Sequence, residues 1–159
     1  MQTFLPFPDF RDSAACLDRQ RLGNQRLEAK QLLVGQWPNH PASKMWRGCE
    51  LCLAQYLEAI CAEWIARGYE DNILAWLRIW LKENYGFTLR DLAERPPLKP
   101  YWLGDPWFHL CHQSNLLRKD ADYYGKIFDK SVPNDMPYWW PPIRSVSTRL
   151  PDQLSHLHT

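Results

Sequence analysis

Apolar residues recur at helical spacing along most of this chain, and no stretch alternates between apolar and polar positions as a β-strand would. The first pattern begins at Asp12 or Ser13, either of which can cap a helix, and continues to about Val34. Gly35 and Pro38 follow it and stop the helix. We therefore predict one long helix in this region.

Further patterns predict a second helix over 41–67 and a third over about 71–85. Three short segments follow: one capped by Thr88, one over about 106–118, and a brief one opened by Asp120. From residue 131 onward, prolines exclude regular helix, and we expect a frayed tail in the last ten residues. The expected fold is all-α, a compact single-domain helical bundle over 1–159 with aromatic, proline-rich loops.

The composition supports a packed domain but is nearly neutral in charge. Hydrophobic residues make up 45% of the chain, which argues against disorder, and its nine Trp, seven Tyr and six Phe suit a core or a base-stacking surface. The formal net charge is only +1, so charge alone would not hold DNA tightly.

Signals for export and metal binding are weak. The start lacks the charged and apolar regions of a secretory leader and no apolar run could span a membrane, so we expect a cytoplasmic protein with reduced thiols. Cys49, Cys52 and Cys61 have partial zinc spacing with His40 nearby, but they lie inside an apolar helical pattern. We therefore expect no metal and no cofactor.

The strongest chemical signal is a lone carboxylate in the first helix. On helical geometry Glu28 shares a strip with Arg21, Asn24 and Gln25, at the edge of an apolar face where a carboxyl pKa can be tuned. Arg21 is placed either to bind a phosphate or to neutralise Glu28. A plain surface glutamate with an arginine partner is the alternative interpretation.

Other positions of this helix have structural interpretations. The core stripe is predicted at Ala15, Leu22, Ala29 and Leu33, and the basic side chains of the far face are expected to be solvated: Arg19, Arg26 and Lys30. Gly23 in mid-helix costs about 1 kcal/mol relative to Ala, so it marks a close approach, either of another helix or of a DNA backbone. Helix packing is the favoured explanation.

The chain starts with an amino terminus and continues into a basic helix, Leu17 to Glu28, that holds a lone glutamate. In this arrangement it resembles the pyrimidine-dimer DNA glycosylases of the endonuclease V type. The resemblance implies a metal-free helical enzyme that flips a base out of duplex DNA. It also implies that the terminal α-amine attacks C1′ to form an imine and that β-elimination then cuts the strand, with Glu28 as the catalytic glutamate. An α-amine, with a reference pKa of about 8, suits this attack.

The resemblance leaves two candidates for the nucleophilic amine. Gln2 is bulky, and initiator Met is usually kept before such a residue, so the expected amine is that of Met1. If Met1 is removed, Gln2 supplies the amine until it cyclises. The expected partner is damaged or modified double-stranded DNA, bound by a monomer with no membrane association.

Candidate DNA-binding residues come from the basic and polar positions of three predicted helices: Arg21, Gln25, Lys44, Arg47, His109, His112, Arg118 and Lys119. For His109 and His112, a structural role under the aromatic loop is an equal alternative. Two other functions remain open for the whole chain, a non-catalytic DNA-binding protein and a helical protein-interaction module.

Overall fold

In the computed structural model, which describes residues 1–143, the backbone forms eight helices and no strand within that range. In chain order they are α1 (Phe10–Cys16), α2 (Arg19–Leu33), α3 (Pro41–Trp46), α4 (Glu50–Ala66), α5 (Ile73–Tyr85), α6 (Leu89–Glu94), α7 (Pro106–Lys119) and α8 (Ala121–Tyr124). The predicted all-α class is confirmed. The frayed tail predicted for the last ten residues lies outside the described residues.

The long first helix that the sequence predicted is in fact two helices, α1 and α2. Leu17 and Asp18 between them have extended backbone, and the Asp18 carboxylate caps α2 by accepting a hydrogen bond from the backbone N–H of Arg21. The Asp18 N–H is itself bound by the hydroxyl of Tyr124, 106 residues further on. A tertiary contact therefore sets this break, and Ala15, predicted as core, is exposed.

The second predicted helix is also divided, into α3 and α4. Gly48, between them, adopts a left-handed φ of 83°, a conformation that glycine takes with little strain. Just before it, the indole N–H of Trp46 is bound to Thr3 Oγ1 at 3.0 Å, which fixes the end of α3 against the start of the chain. The prediction of one helix over 41–67 was wrong because the pattern of apolar residues reveals neither the conformation of Gly48 nor the hydrogen bond of Trp46.

The later helices follow their predicted limits more closely. Gly86 ends α5 in a left-handed conformation, and Thr88 and Asp91 form the reciprocal capping box that begins α6. Asp105 caps α7 with Pro106 at its first helical position. No residue in 131–143 is helical, as its prolines predicted.

Helix α4 lies at the centre of the core, with α1, α2, α5 and α6 packed against it. Its buried side chains include Leu53, Tyr56 and Ile60. A Cβ added at Gly23 would lie 3.1 Å from the Trp64 ring of α4, so the helix-packing explanation for that glycine is confirmed. No helix among residues 1–143 is both long and apolar enough to cross a membrane.

The far face of α2 is solvated only in part: Arg19 is exposed as the sequence predicted, whereas Arg26 and Lys30 are partly buried. The Arg26 guanidinium lies over the Trp64 ring and binds Asp71, whose side chain is 1% exposed. Arg19 lies over Tyr69 and Lys30 over Trp76 in the same way. These aromatic partners lie far along the sequence from α2, which is why a helical pattern alone did not indicate them.

Candidate active site

The first five residues of the chain run between helices and are mostly enclosed by them. Gln2, Thr3, Phe4 and Leu5 are buried, while Met1 is half-buried. The Leu5 N–H donates to His112 Nδ1 at 2.9 Å, and the Leu5 carbonyl accepts from His109 Nδ1 at 2.7 Å. Residues of α7 thus hold the N-terminal segment, defined here as residues 1–5, beside α2.

Gln25 joins the N-terminal segment to Glu28. Its amide oxygen accepts from the Phe4 N–H at 2.9 Å, and its amide nitrogen donates to the Gln2 carbonyl at 2.8 Å. The same nitrogen donates to Glu28 Oε2 at 2.8 Å, and the Tyr56 hydroxyl lies 2.7 Å from the amide oxygen. The side chain therefore orients three elements at once.

Glu28 is half-buried, and no arginine among residues 1–143 forms an ion pair with it. Loss of solvation raises the pKa of its carboxyl group above the ordinary glutamate value. The positive charge of the chain's α-amine, a hydrogen bond from the Gln2 backbone, the Gln25 amide and the charge of Lys119 oppose that rise. The net rise in the pKa of Glu28 indicates a carboxyl group that is close to cations but poorly hydrated.

A cavity of about 280 Å³ opens over this carboxylate. Residues from the N-terminal segment, α2, α7 and the C-terminal loop line it: Met1, Gln2, Phe4, Gln20, Arg21, Asn24, Gln25, Glu28, Lys119 and Tyr138. A larger cavity of about 550 Å³ lies elsewhere, and its Glu58 is paired with Arg11. Of these two cavities, the smaller combines a desolvated carboxylate, an amine and cationic side chains.

Arg21 faces the cavity but pairs with Asp18 rather than Glu28. Its Nη1 lies 3.1 Å from Asp18 Oδ1, and Asp18 also accepts from the Tyr124 hydroxyl. The hydrogen bonds to Tyr124 and Arg21 hold the pKa of Asp18 below its ordinary value, although burial acts in the opposite direction as the largest single influence. The pairing of Arg21 with Asp18 therefore does not support the predicted role of Arg21 in neutralising Glu28.

Six predicted site residues line this cavity: Met1, Gln2, Arg21, Gln25, Glu28 and Lys119. Lys44 and Arg47 are exposed on and after α3, outside the cavity lining. Arg118 is exposed too, but its guanidinium donates to the Met136 carbonyl at 2.8 Å and so holds the C-terminal loop.

Three predicted DNA contacts are buried, which argues for structural roles instead. His109 is 4% exposed, His112 0% and Gln25 1%, and each hydrogen-bonds to the N-terminal segment. Burial lowers the pKa of His112 to about 3 and also lowers that of His109, so both rings stay neutral near pH 7. Because both rings are buried and bonded to the backbone of Leu5, the structural alternative for the histidines is favoured.

The sequence did not single out two tyrosines that complete the site. Tyr56 occupies an ordinary core position of α4, yet its hydroxyl meets Gln25. Tyr138 comes from the proline-rich loop, where no periodicity operates, and forms one cavity wall. Only the polar atom of Tyr56 in an otherwise apolar stripe could have marked it.

A comparison with protein families gives the site a context. Residues 1–76, just under half of the chain, match the family model described as pyrimidine dimer DNA glycosylase. The resemblance predicted from the Glu28 helix is therefore confirmed over this region, which includes Gln25, Glu28 and Tyr56. No curated protein and no solved structure matches the chain.

Proposed function

Because its first 76 residues match the pyrimidine dimer DNA glycosylases, we propose that this protein is a DNA repair glycosylase with abasic-site lyase activity. It acts as a monomer on pyrimidine dimers or another modified base in duplex DNA. The observation that carries the proposal is the shared cavity of Met1 and Glu28, where the charge of the α-amine acts on a half-buried carboxylate.

The first chemical step is attack by the neutral α-amine on C1′ of the damaged nucleotide. A C–N bond forms to C1′, and the glycosidic bond breaks with its electron pair leaving on the base. Loss of the amine proton and opening of the sugar ring, with a proton delivered to O4′, give a cationic imine. The Glu28 carboxylate shares the cavity with the α-amine and interacts with its charge, so it stabilises that cation.

The second step is β-elimination. A base removes a proton from C2′, the C2′–C3′ double bond forms, and the C3′–O bond breaks with the electron pair leaving on the phosphate. Glu28 is the candidate base, because desolvation raises its pKa and so makes the carboxylate a better proton acceptor than an exposed glutamate. Water then hydrolyses the imine and frees the α-amine.

DNA binding is assigned to the cavity rim and its surroundings. Arg21 and Lys119 supply cationic groups beside Glu28, and Lys44 and Arg47 extend the positive surface near α3. Tyr138 offers an aromatic wall on which an extruded nucleotide can stack. With a net charge of only +1, this local patch rather than the whole molecule provides the attraction.

The test is borohydride trapping on duplex DNA that carries an abasic site or a pyrimidine dimer, followed by mass spectrometry of the N-terminal peptide. A reduced adduct on the amine of Met1, or of Gln2 after Met1 removal, is expected. For the same assay on Glu28→Gln, the matched control is Glu94→Gln, since Glu94 is an exposed glutamate paired with Arg90. Salt-sensitive binding without any adduct would favour the non-catalytic DNA-binding function, and no binding at all the protein-interaction function.

A further inference from the structure

We propose that Gln25, supported by Tyr56, is the positioning residue of this site: it holds the first residues and the Glu28 carboxylate in one fixed relation. This inference rests on the proposed function for its catalytic consequence, but its structural content can be measured without activity. It concerns a residue that is buried and acts through the groups that it holds.

The pattern of hydrogen bonds around Gln25 resembles that of one residue in a parallel β-sheet, whose N–H and C=O both face the same neighbouring strand. Its amide donates to the carbonyl of Gln2 and accepts from the N–H of Phe4, two residues apart on the same segment. A neighbouring strand would bind the segment in the same way. Residues 1–143 contain no strand beside the N-terminal segment, and the side chain of Gln25 makes the hydrogen bonds that such a strand would make. It thereby fixes the backbone that carries the amine.

The orientation of the Gln25 amide is settled by its partners. The Phe4 N–H can only donate, so it requires the amide oxygen, while the Gln2 carbonyl can only accept and requires the amide nitrogen. The second hydrogen of that nitrogen is consequently aimed at Glu28 Oε2, 2.8 Å away. Holding the segment and holding the carboxylate are therefore linked through one planar group.

Tyr56 supports the amide from the core side. Its single hydroxyl hydrogen lies between two acceptors, the Gln25 amide oxygen at 2.7 Å and the Phe4 carbonyl at 2.9 Å. Complete burial raises the pKa of Tyr56 well above its ordinary value, so the hydroxyl remains a donor throughout the working pH range. The charged and titratable groups that surround Glu28 are the α-amine, Arg21, Lys119, Tyr56 and Tyr138.

The decisive measurement is an NMR titration of the Glu28 side-chain carboxyl carbon in the wild type and in Gln25→Leu. Removal of the amide donor should move the Glu28 midpoint to higher pH. Gln55→Leu is the matched control, because Gln55 is a half-buried glutamine whose amide binds the Leu92 carbonyl on α6. An unchanged Glu28 titration in folded Gln25→Leu overturns the proposal, whether or not the wild type cleaves DNA.

A second variant, Tyr56→Phe, removes only a hydroxyl and keeps the test open if Gln25→Leu does not fold. The side-chain amide hydrogens of Gln25 should then exchange faster with water, and the single-turnover trapping rate should fall about fivefold to tenfold. Unaltered exchange and rate in this variant would also refute the positioning role. If the wild type forms no adduct while the Gln25→Leu titration shifts as expected, the proposed function fails and the positioning role stands.

Discussion

The two faces of α2 handle charged side chains in opposite ways. On the face toward α5, Arg26 and Asp71 form a largely buried ion pair, with Arg26 Nε 2.8 Å from Asp71 Oδ1 and the Arg26 guanidinium over the Trp64 ring. On the face toward the N-terminal segment, Glu28 has an amide and nearby cations but no ion pair within the described part of the chain. One face is closed by direct pairing, and the other remains open to a cavity.

This difference indicates where the helix supports the fold and where it supports a reaction. A buried charge that is fully paired supports the fold, since removal of either partner lowers the free energy of unfolding. A desolvated carboxylate with a displaced pKa is available for proton transfer. The following predictions disturb one face at a time.

The largest expected effect is on activity, from Glu28→Gln. Loss of the carboxylate should lower strand cleavage by about 10²- to 10⁴-fold, the usual contribution of a positioned acid or base. Because the substituted amide carries no charge to desolvate, the free energy of unfolding should stay equal or rise slightly. Cleavage kinetics and urea denaturation check the two parts, and cleavage at the wild-type rate would remove Glu28 from the mechanism.

The next effect is on stability, from Asp71→Ala on the opposite face. It leaves Arg26 partly buried without its partner and removes the acceptor for the Leu74 N–H at 2.8 Å. We expect a loss of about 3–5 kcal/mol in the free energy of unfolding. The Glu28 titration should not move in the same variant at temperatures where it stays folded, and a shift would mean that the two faces are coupled.

A pH prediction concerns the histidine that holds the N-terminal segment. His112 has a pKa of about 3 in the folded chain, against about 6.5 when unfolded, so only the unfolded state gains a proton between these values. His112 therefore makes stability fall as pH drops through this window, by up to about 1.4 kcal/mol per pH unit. Above about pH 6.5 the effect vanishes.

The comparison of wild type with His112→Gln isolates this contribution, because Glu28, with its raised pKa, acts in the opposite direction above about pH 4.5. Urea denaturation from about pH 4 to 7 should show a shallower slope for the variant. Parallel curves for the two proteins would contradict a neutral buried His112.

The smallest effect tests how tightly the closed face is packed. Gly23→Ala should gain about 1 kcal/mol from helix propensity, but its Cβ would press against Trp64. That ring is held by a hydrogen bond to the Glu70 carbonyl and by Tyr69, so it cannot retreat freely. We expect no net gain in unfolding free energy, whereas the same substitution in Trp64→Phe should stabilise. Equal stabilisation in the wild type and in Trp64→Phe would mean that the Trp64 ring moves to accommodate the added methyl group.

The sequence predicted those parts of the fold that depend on local signals. Caps and periodicity were enough for α5, α6 and α7, because glycine, proline and capping residues lie at their ends. The breaks before α2 and α4 were missed. The first depends on the Tyr124 hydroxyl at Asp18, and the second on a glycine beside a Trp46 that is tied to Thr3.

The predictions for the site also depended on local signals. Glu28 and Arg21 were predicted because helical geometry brings them to one strip, and Lys119 because of its charge at the end of α7. Gln25 was expected to face DNA, since its strip position does not reveal the segment that covers it. Burial by a distant part of the chain decides such positions, and it follows from tertiary packing alone.

The N-terminal segment also imposes an order on the assembly of this protein. Its residue Leu5 is synthesised well before its hydrogen-bonding partners, His109 and His112, which lie 104 and 107 residues further along the chain. Contacts so distant in sequence form slowly, because a large loop must close before they gain anything. The segment must therefore wait until α7 has been made, and a chain stopped before that helix holds Glu28 without the enclosure that gives it its chemistry.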